Sequence, residues 1–192
     1  VVWAWKANGG TTSSNTSGTT TSTVQANTTA GFSIVTYAGN SASKTVGHGL
    51  SSAPEWIIVK SRTDNERWAV FHTSISNQYI YLNDTFAGET SNADERFGNS
   101  SSVVVPTDTL VTLGANNSDV NENGDDYVAY VFAEIEGYSR FGSYTGDGLT
   151  TGAGPFVFLG FRPQWLLIKR TDSSAGWILW DNKRSTFNPT DD

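Results

Sequence analysis

The sequence predicts an all-β protein, an antiparallel β-sandwich or jelly roll carrying a tandem internal repeat. Three observations predict it. Short runs of β-branched and aromatic residues follow one another closely, separated by turns rich in Gly, Asn and Asp. No window of twelve or more residues sustains a helical apolar period bounded by caps. The chain also repeats itself over a domain-sized distance.

The repeat is read from ordered motifs. Gly31-Phe32-Ser33, Tyr37, Pro54-x-Trp56-Ile57-Ile58-Val59-Lys60 and Trp68 recur as Gly137-Tyr138-Ser139, Tyr144, Pro163-x-Trp165-Leu166-Leu167-Ile168-Lys169 and Trp177. The offset grows from 106 residues at the glycines to 109 at the proline, the lysine and both tryptophans. That period is too long for a solenoid or propeller repeat. The expected organisation is a strand at 1–7 continuing a preceding copy, a Ser/Thr/Gly-rich linker at 8–30, a complete module at 31–136 and a partial second copy at 137–192. Val1–Ala7 carries the pattern of Val128–Glu134, and the second copy has no counterpart of residues 80–134. The expectation is an excerpt of a longer polypeptide, cut out of phase with its repeat.

In chain order, Val1–Ala7 places Val2, Ala4 and Lys6 on one side and Val1, Trp3, Trp5 and Ala7 on the other. Its tryptophans need a partner surface, which strand exchange with an adjacent repeat would supply. Residues 8–30 hold a single Val and no aromatic, too little apolar surface to offset ordering entropy, so linker or extended edge is expected. Phe32–Tyr37 alternates and ends in a Gly39-Asn40 turn. Trp56–Lys60 is a continuous apolar run of the kind buried on both faces. Trp68–His72 follows across the charged Arg62–Arg67 turn. Further strands are expected at Tyr79–Leu82, Val103–Val105, Thr109–Leu113 and, after the Asp119–Asp126 turn, Tyr127–Ala133.

Twelve basic against nineteen acidic residues leave a net charge of −7. Phosphate recognition needs a basic surface, so nucleic acid is excluded as a ligand and charge-driven docking on anionic lipid is disfavoured. Cysteine is absent, which excludes disulfides and thiolate metal sites. No apolar run approaches the ~18 residues of a membrane helix, so no membrane insertion is expected.

Catalytic chemistry finds little foothold. His48 and His72 are replaced in the second copy by Leu159 and Asp181, and ordinary turn or surface histidines are expected. Neither a Gly-x-Ser-x-Gly elbow nor a His-Glu-x-x-His pattern occurs. Pairs such as Glu134/Glu136 and Asp94/Glu95 could serve a glycosidase, but nineteen carboxylates supply such pairs freely, and solvated surface charge is the expected role.

Asp119-Val-Asn-Glu-Asn-Gly-Asp-Asp126 is sharper. It matches the start of an EF-hand loop and makes Asp119, Asn121, Asn123 and Asp125 candidate Ca²⁺ ligands. Tyr130 stands where that loop needs its closing Glu, and a β-turn calls for the same Asn-Gly and Asp residues. Trp56, Trp68, Trp165 and Trp177 recur between copies and are expected in the core, as is Trp180, the counterpart of Phe71. Tyr79 and Tyr81 share a strand face and become candidates for stacking on a sugar if that face is exposed.

Together the motifs carry a resemblance. The stretches Val1–Gly10, Thr29–Tyr37, Val46–Leu50, Ala53–Lys60 and Trp68–His72, with Tyr127–Ser139, Phe141–Gly146, Gly160–Pro163 and Ile168–Asp172, resemble a module of uncharacterised function in tail-fibre and other structural proteins of marine and cyanobacterial phages. The likeness spans nearly the whole chain; the strand at 127–133 departs from it by lacking Cys, and the second copy is truncated. It implies a non-enzymatic structural module of a tail fibre or similar appendage, on the virion or outside the cell and involved in host attachment. The partners it implies are copies of the chain or other virion proteins. The alternative is a carbohydrate-binding module contacting host polysaccharide, and a polysaccharide depolymerase stands third. No cofactor is expected beyond the Ca²⁺ that the 119–126 loop could take.

Overall fold

In the computed structural model, which describes residues 2, 4–148 and 154–184, strand pairing is antiparallel throughout the named sheets. The main sheet contains β1 (Ser13–Asn15), β2 (Ser22–Asn27), β3 (Phe32–Ala38), β5 (Trp56–Ser61), β6 (Ala69–His72), β7 (Ile80–Tyr81) and β9 (Asp126–Phe132), in the order β1-β2-β3-β9-β5-β6-β7. A second sheet pairs β4 (Lys44–Gly47) with β8 (Leu110–Leu113), and a third pairs β10 (Trp165–Lys169) with β11 (Trp177–Asp181). Among the described residues, helix is confined to a 3₁₀ turn at Thr73–Ile75 and the single turn α1 at Ala93–Arg96. No helix there is long and apolar enough to cross a membrane. The fold is an all-β sandwich.

Side chains alternate across the main sheet as the pleat requires. Val35, Ile57, Val59, Phe71, Tyr127 and Val131 face inward and pack with Val46, Val111 and Leu113 of the β4–β8 sheet. Phe32, Trp56, Ile58, Val70, Ile80 and Phe132 form a second cluster on the opposite face. Both faces of the central strands are therefore covered, which is why Trp56–Lys60 reads as an unbroken apolar run.

What covers the outer face is the second repeat copy. Trp165, Leu167 and Trp177 pack into the outer cluster beside Trp56, Ile58 and Trp68, which are their own repeat counterparts. The two copies thus meet through the same face. The Trp177 indole N–H donates to the Tyr81 carbonyl at 2.8 Å. The backbone N–H groups of Gly88 and Ala175 donate to the carbonyls of Thr171 and Thr85, each at 2.9 Å. Trp5 stands edge-on to Phe132 and Trp165, with ring centroids 5.9 and 5.3 Å away. The recurring lysine closes each hairpin turn: Lys60 Nζ donates to the carbonyls of Ser61 and Asp64, both at 2.8 Å, and Lys169 Nζ to those of Arg170 and Ala175, both at 2.9 Å.

Several boundaries differ from expectation. Residues 8–30 take the extended-edge form of the expectation and not the linker form: they contain β1 and β2 at one edge of the main sheet, and β2 pairs with β3 from Thr23↔Thr36 to Asn27↔Phe32. Ladder bonds use backbone groups and so do not require apolar side chains; Val24 is buried in the core with Ala26 packed against it, while Ser22 Oγ donates to the Gly47 carbonyl at 2.7 Å. Gly18 allows this edge to close on β4, because a Cβ there would lie 2.3 Å from the Thr45 carbonyl oxygen.

Residues 4–7, expected as a strand, are not one. They are held over the outer face instead, where the Asn27 side-chain amide donates to the Lys6 and Ala7 carbonyls at 3.1 and 3.3 Å. Val1 and Trp3 of the same expected strand lie outside the described residues. Val103–Val105 reduces to one bridge between Val103 and Gly98, and the strand expected at Tyr79–Leu82 to the two residues of β7. The counterpart of β3, around Tyr138–Tyr144, forms no strand. β3 is held between β2 and β9, and among the described residues no strand pairs with Tyr138–Tyr144 in that way.

Candidate functional site

Tyr79 and Tyr81 are buried, so the sugar-stacking assignment is corrected: neither ring presents a face to a ligand. They belong to a polar network sealed beneath the β7 edge. Tyr81 Oη donates to Asp119 Oδ2 at 2.8 Å and accepts from Arg96 Nη2 at 2.8 Å. Arg96 Nε and Nη2 also reach Asp119 Oδ2, at 3.0 and 2.9 Å. The Arg96 guanidinium lies 3.9 Å from the Tyr79 ring centroid, a cation–π contact, and Arg67 covers the Tyr81 ring at 4.9 Å. Burial, followed by the hydrogen bond to Asp119, pushes the Tyr81 phenol up to about 12.

The calcium assignment is corrected on the same grounds. Asp119 is neutralised by Arg96. The Asn121 amide donates to the Ala42 and Gly114 carbonyls, both at 2.7 Å, while its oxygen accepts from the Asn40 N–H at 3.1 Å. Asp125 Oδ2 accepts from Ser61 Oγ at 3.3 Å and Tyr127 Oη at 3.4 Å. Asn123 is exposed. The side chains of Asp119, Asn121 and Asp125 diverge to tie separate loops together, and among the described residues no three acidic or histidine side chains converge on a cation-sized space. The EF-hand-like spacing is used here to close the connection between β8 and β9, with Gly124 at φ 96°.

His48 is fully buried in its turn, not on the surface. Its Nε2 lies 3.2 Å from the Thr107 carbonyl, and its Nδ1 accepts from the Leu50 N–H at 3.2 Å, which fixes a neutral tautomer. Burial pushes its pKa down. His72 caps the 3₁₀ turn by accepting from the Ser74 N–H at 3.1 Å, and burial lowers it too.

Two of the surface concavities have a defined lining. One, of about 360 Å³, is wide and polar and lies between Lys6–Asn8 and Ala26–Thr28. The other, of about 240 Å³, is lined by Glu134, Glu136, Arg140, Phe158 and Phe161, among others. Glu134 is held there by Arg140 at 3.0 Å. Trp180, expected in the core, is 46 % exposed on the outward face of the β10–β11 hairpin.

Arg96, the centre of the buried network, was not singled out from sequence. Its signal was its isolation, as the only basic residue between Arg67 and Arg140.

One family model matches residues 1–192, over the entire length of the chain. The chain belongs to the DUF7483 family. That family is described as a domain of unknown function. No curated protein and no solved structure matches the chain. The functional reading of this DUF7483 chain therefore rests on its own geometry.

Proposed function

We propose that the chain is a non-catalytic structural module of a phage tail fibre or comparable virion appendage, serving host attachment outside the cell through assembly with copies of itself or other virion proteins. The observation that carries this reading is the use of one aromatic face to join two copies of the repeat. The residues most suggestive of chemistry support it as well, since Tyr79, Tyr81, Asp119, Asn121 and His48 are all engaged in holding loops to the sandwich. Immunogold labelling of purified particles from the source lysate, with antibody raised against the chain, is the test. Gold on an appendage is expected; protein present only free in the lysate would overturn the reading.

A second reading, a carbohydrate-binding module, is favoured by the 240 Å³ cavity, where carboxylates and an arginine meet two phenylalanines. Saturable binding of the labelled chain to host polysaccharide, lost in Phe158→Ala and Arg140→Ala, would establish it.

A further inference from the structure

The connection between β8 and β9 carries an Asn-Gly pair at an exposed turn. The Asp125 N–H donates to the Glu122 carbonyl at 3.3 Å and closes a β-turn with Asn123 and Gly124 at its central positions. Gly124, at φ 96°, takes the left-handed position that a type II turn reserves for glycine. The Asn123 backbone is anchored, since its N–H donates to Ser41 Oγ at 2.9 Å. Its side chain is not. Among the described residues neither the Asn123 amide group nor the Gly124 N–H has a hydrogen-bond partner, and both residues are exposed. A Cβ built on Gly124 would meet no heavy atom within 4 Å, so nothing crowds the Gly124 nitrogen from outside the turn.

Other asparagines differ on both counts. The side chains of Asn40, Asn83, Asn99 and Asn121 hold turns or loops through hydrogen bonds. Each also precedes a residue whose side chain crowds the next backbone nitrogen, namely Ser41, Asp84, Ser100 and Glu122. The sequence has one further Asn-Gly pair, Asn8-Gly9, in the exposed segment before β1.

We propose that Asn123 and Gly124 form a self-modifying site, at which the folded chain converts its own asparagine to aspartate and isoaspartate. A solvent base takes the Gly124 N–H proton and the nitrogen attacks Asn123 Cγ. The Cγ–Nδ2 bond breaks, and Nδ2 takes a proton back from solvent and leaves as ammonia. Water then opens the cyclic imide: cleavage at Cγ gives aspartate, and cleavage at the backbone carbonyl gives isoaspartate. Either product adds a carboxylate beside Glu122, Asp125 and Asp126. Isoaspartate also routes the main chain through Cβ and Cγ, lengthening it between two ties to the β3–β4 connection. One tie is the Asn123 N–H on Ser41 Oγ; the other is the Asp125 carbonyl, which accepts from the Gly39 N–H at 2.7 Å. The lengthened turn cannot keep both, so it loosens beside Tyr127, whose hydroxyl accepts from the Glu122 N–H at 2.8 Å. This chemistry belongs to the module itself and does not depend on its place on a particle.

Peptide mapping by mass spectrometry tests it. The full chain is held folded at mildly alkaline pH and digested at intervals, with Asn8 in the same digests as an internal reference. Loss of the Asn123 amide at a pace comparable with Asn8 is expected, and a protein isoaspartyl methyltransferase should label the Asn123 peptide. The melting temperature should fall as conversion proceeds, and should hold steady in Asn123→Gln, where a larger ring would have to close. An Asn123 amide intact once the Asn8 amide is lost would show that the turn protects it and would overturn the proposal. Both amides persisting throughout would do the same. Conversion with no more loss of melting temperature than in Asn123→Gln would overturn the loosening. None of these results bears on the immunogold test, so the two readings can fail separately.

Discussion

Replacing Asp119 by Asn removes a charge from the network beneath β7 without changing its shape. The carboxylate receives two guanidinium N–H groups and the Tyr81 hydroxyl, all at one oxygen. The side chains of Arg96 and Asp119 are only 12 and 8 % exposed, so the guanidinium has little water to turn to once its partner is gone. Breaking a buried pair costs about 3–5 kcal/mol. The residual exposure places this one at the lower end, about 3 kcal/mol. For a chain of this size each kcal/mol lowers Tm by roughly 2–4 °C, so a fall of about 6–12 °C is expected. Calorimetry measures the fall, and a second substitution tests the cause. If the loss comes from a stranded guanidinium, adding Arg96→Met to Asp119→Asn should recover part of the loss instead of adding to it. An Asp119→Asn variant melting within about 1 °C of the parent would refute the reasoning, as would fully additive losses in the double variant.

Other outcomes follow from the same geometry. Burial holds His48 and His72 below the ordinary value of 6.5, with Asp108 the acidic group that pulls His48 partly back. The unfolded chain then takes up protons that the folded chain refuses, so stability is full above pH 6.5 and falls as pH drops below it; denaturant midpoints between pH 7 and 5 should show this, with a shallower fall in His48→Gln. Adding millimolar Ca²⁺ should leave Tm unchanged, because the oxygens of Asp119, Asn121 and Asp125 are already engaged; a rise of several degrees would restore the calcium reading. Trp177→Ala removes both packing on the outer cluster and the bond to the Tyr81 carbonyl. Hydrogen exchange should show loss of protection confined to β10–β11, and equal loss across the main sheet would contradict the layered packing. Gly39→Ala sets a Cβ 1.9 Å from the Glu122 carbonyl oxygen; the overpacking should cost about 1–3 kcal/mol in urea unfolding.

The strands that carry packing were legible in the sequence, and the reason is physical. Phe32–Ala38, Trp56–Ser61 and Asp126–Phe132 write their two-sided burial into side-chain type, so composition alone reveals them. β1 and β2 were illegible because their contribution is backbone pairing and small hydroxyl contacts, such as Ser22 Oγ to the Gly47 carbonyl at 2.7 Å. The candidate site was misread for a related reason. Tyr79, Tyr81 and Asp119 have residue types that suit a ligand, and whether they face one depends on Arg96, distant from most of them in sequence and placed by α1. Repeat symmetry correctly marked Trp56 and Trp165 as packing residues, yet it failed for Trp180, because among the described residues the sheet that buries Phe71 has no equivalent over the hairpin.

The same-face junction between copies has a mechanical side. Force applied along the polypeptide would load the Trp56–Trp165 layer in shear, with the Trp177–Tyr81, Gly88–Thr171 and Ala175–Thr85 bonds sharing the strain in parallel. Bonds strained side by side must yield together, whereas those along a peeled edge open one at a time. Two repeats locked this way should bend as a stiff rod, not swing as beads on a string, and the compliance of any longer assembly would reside in its joints between chains.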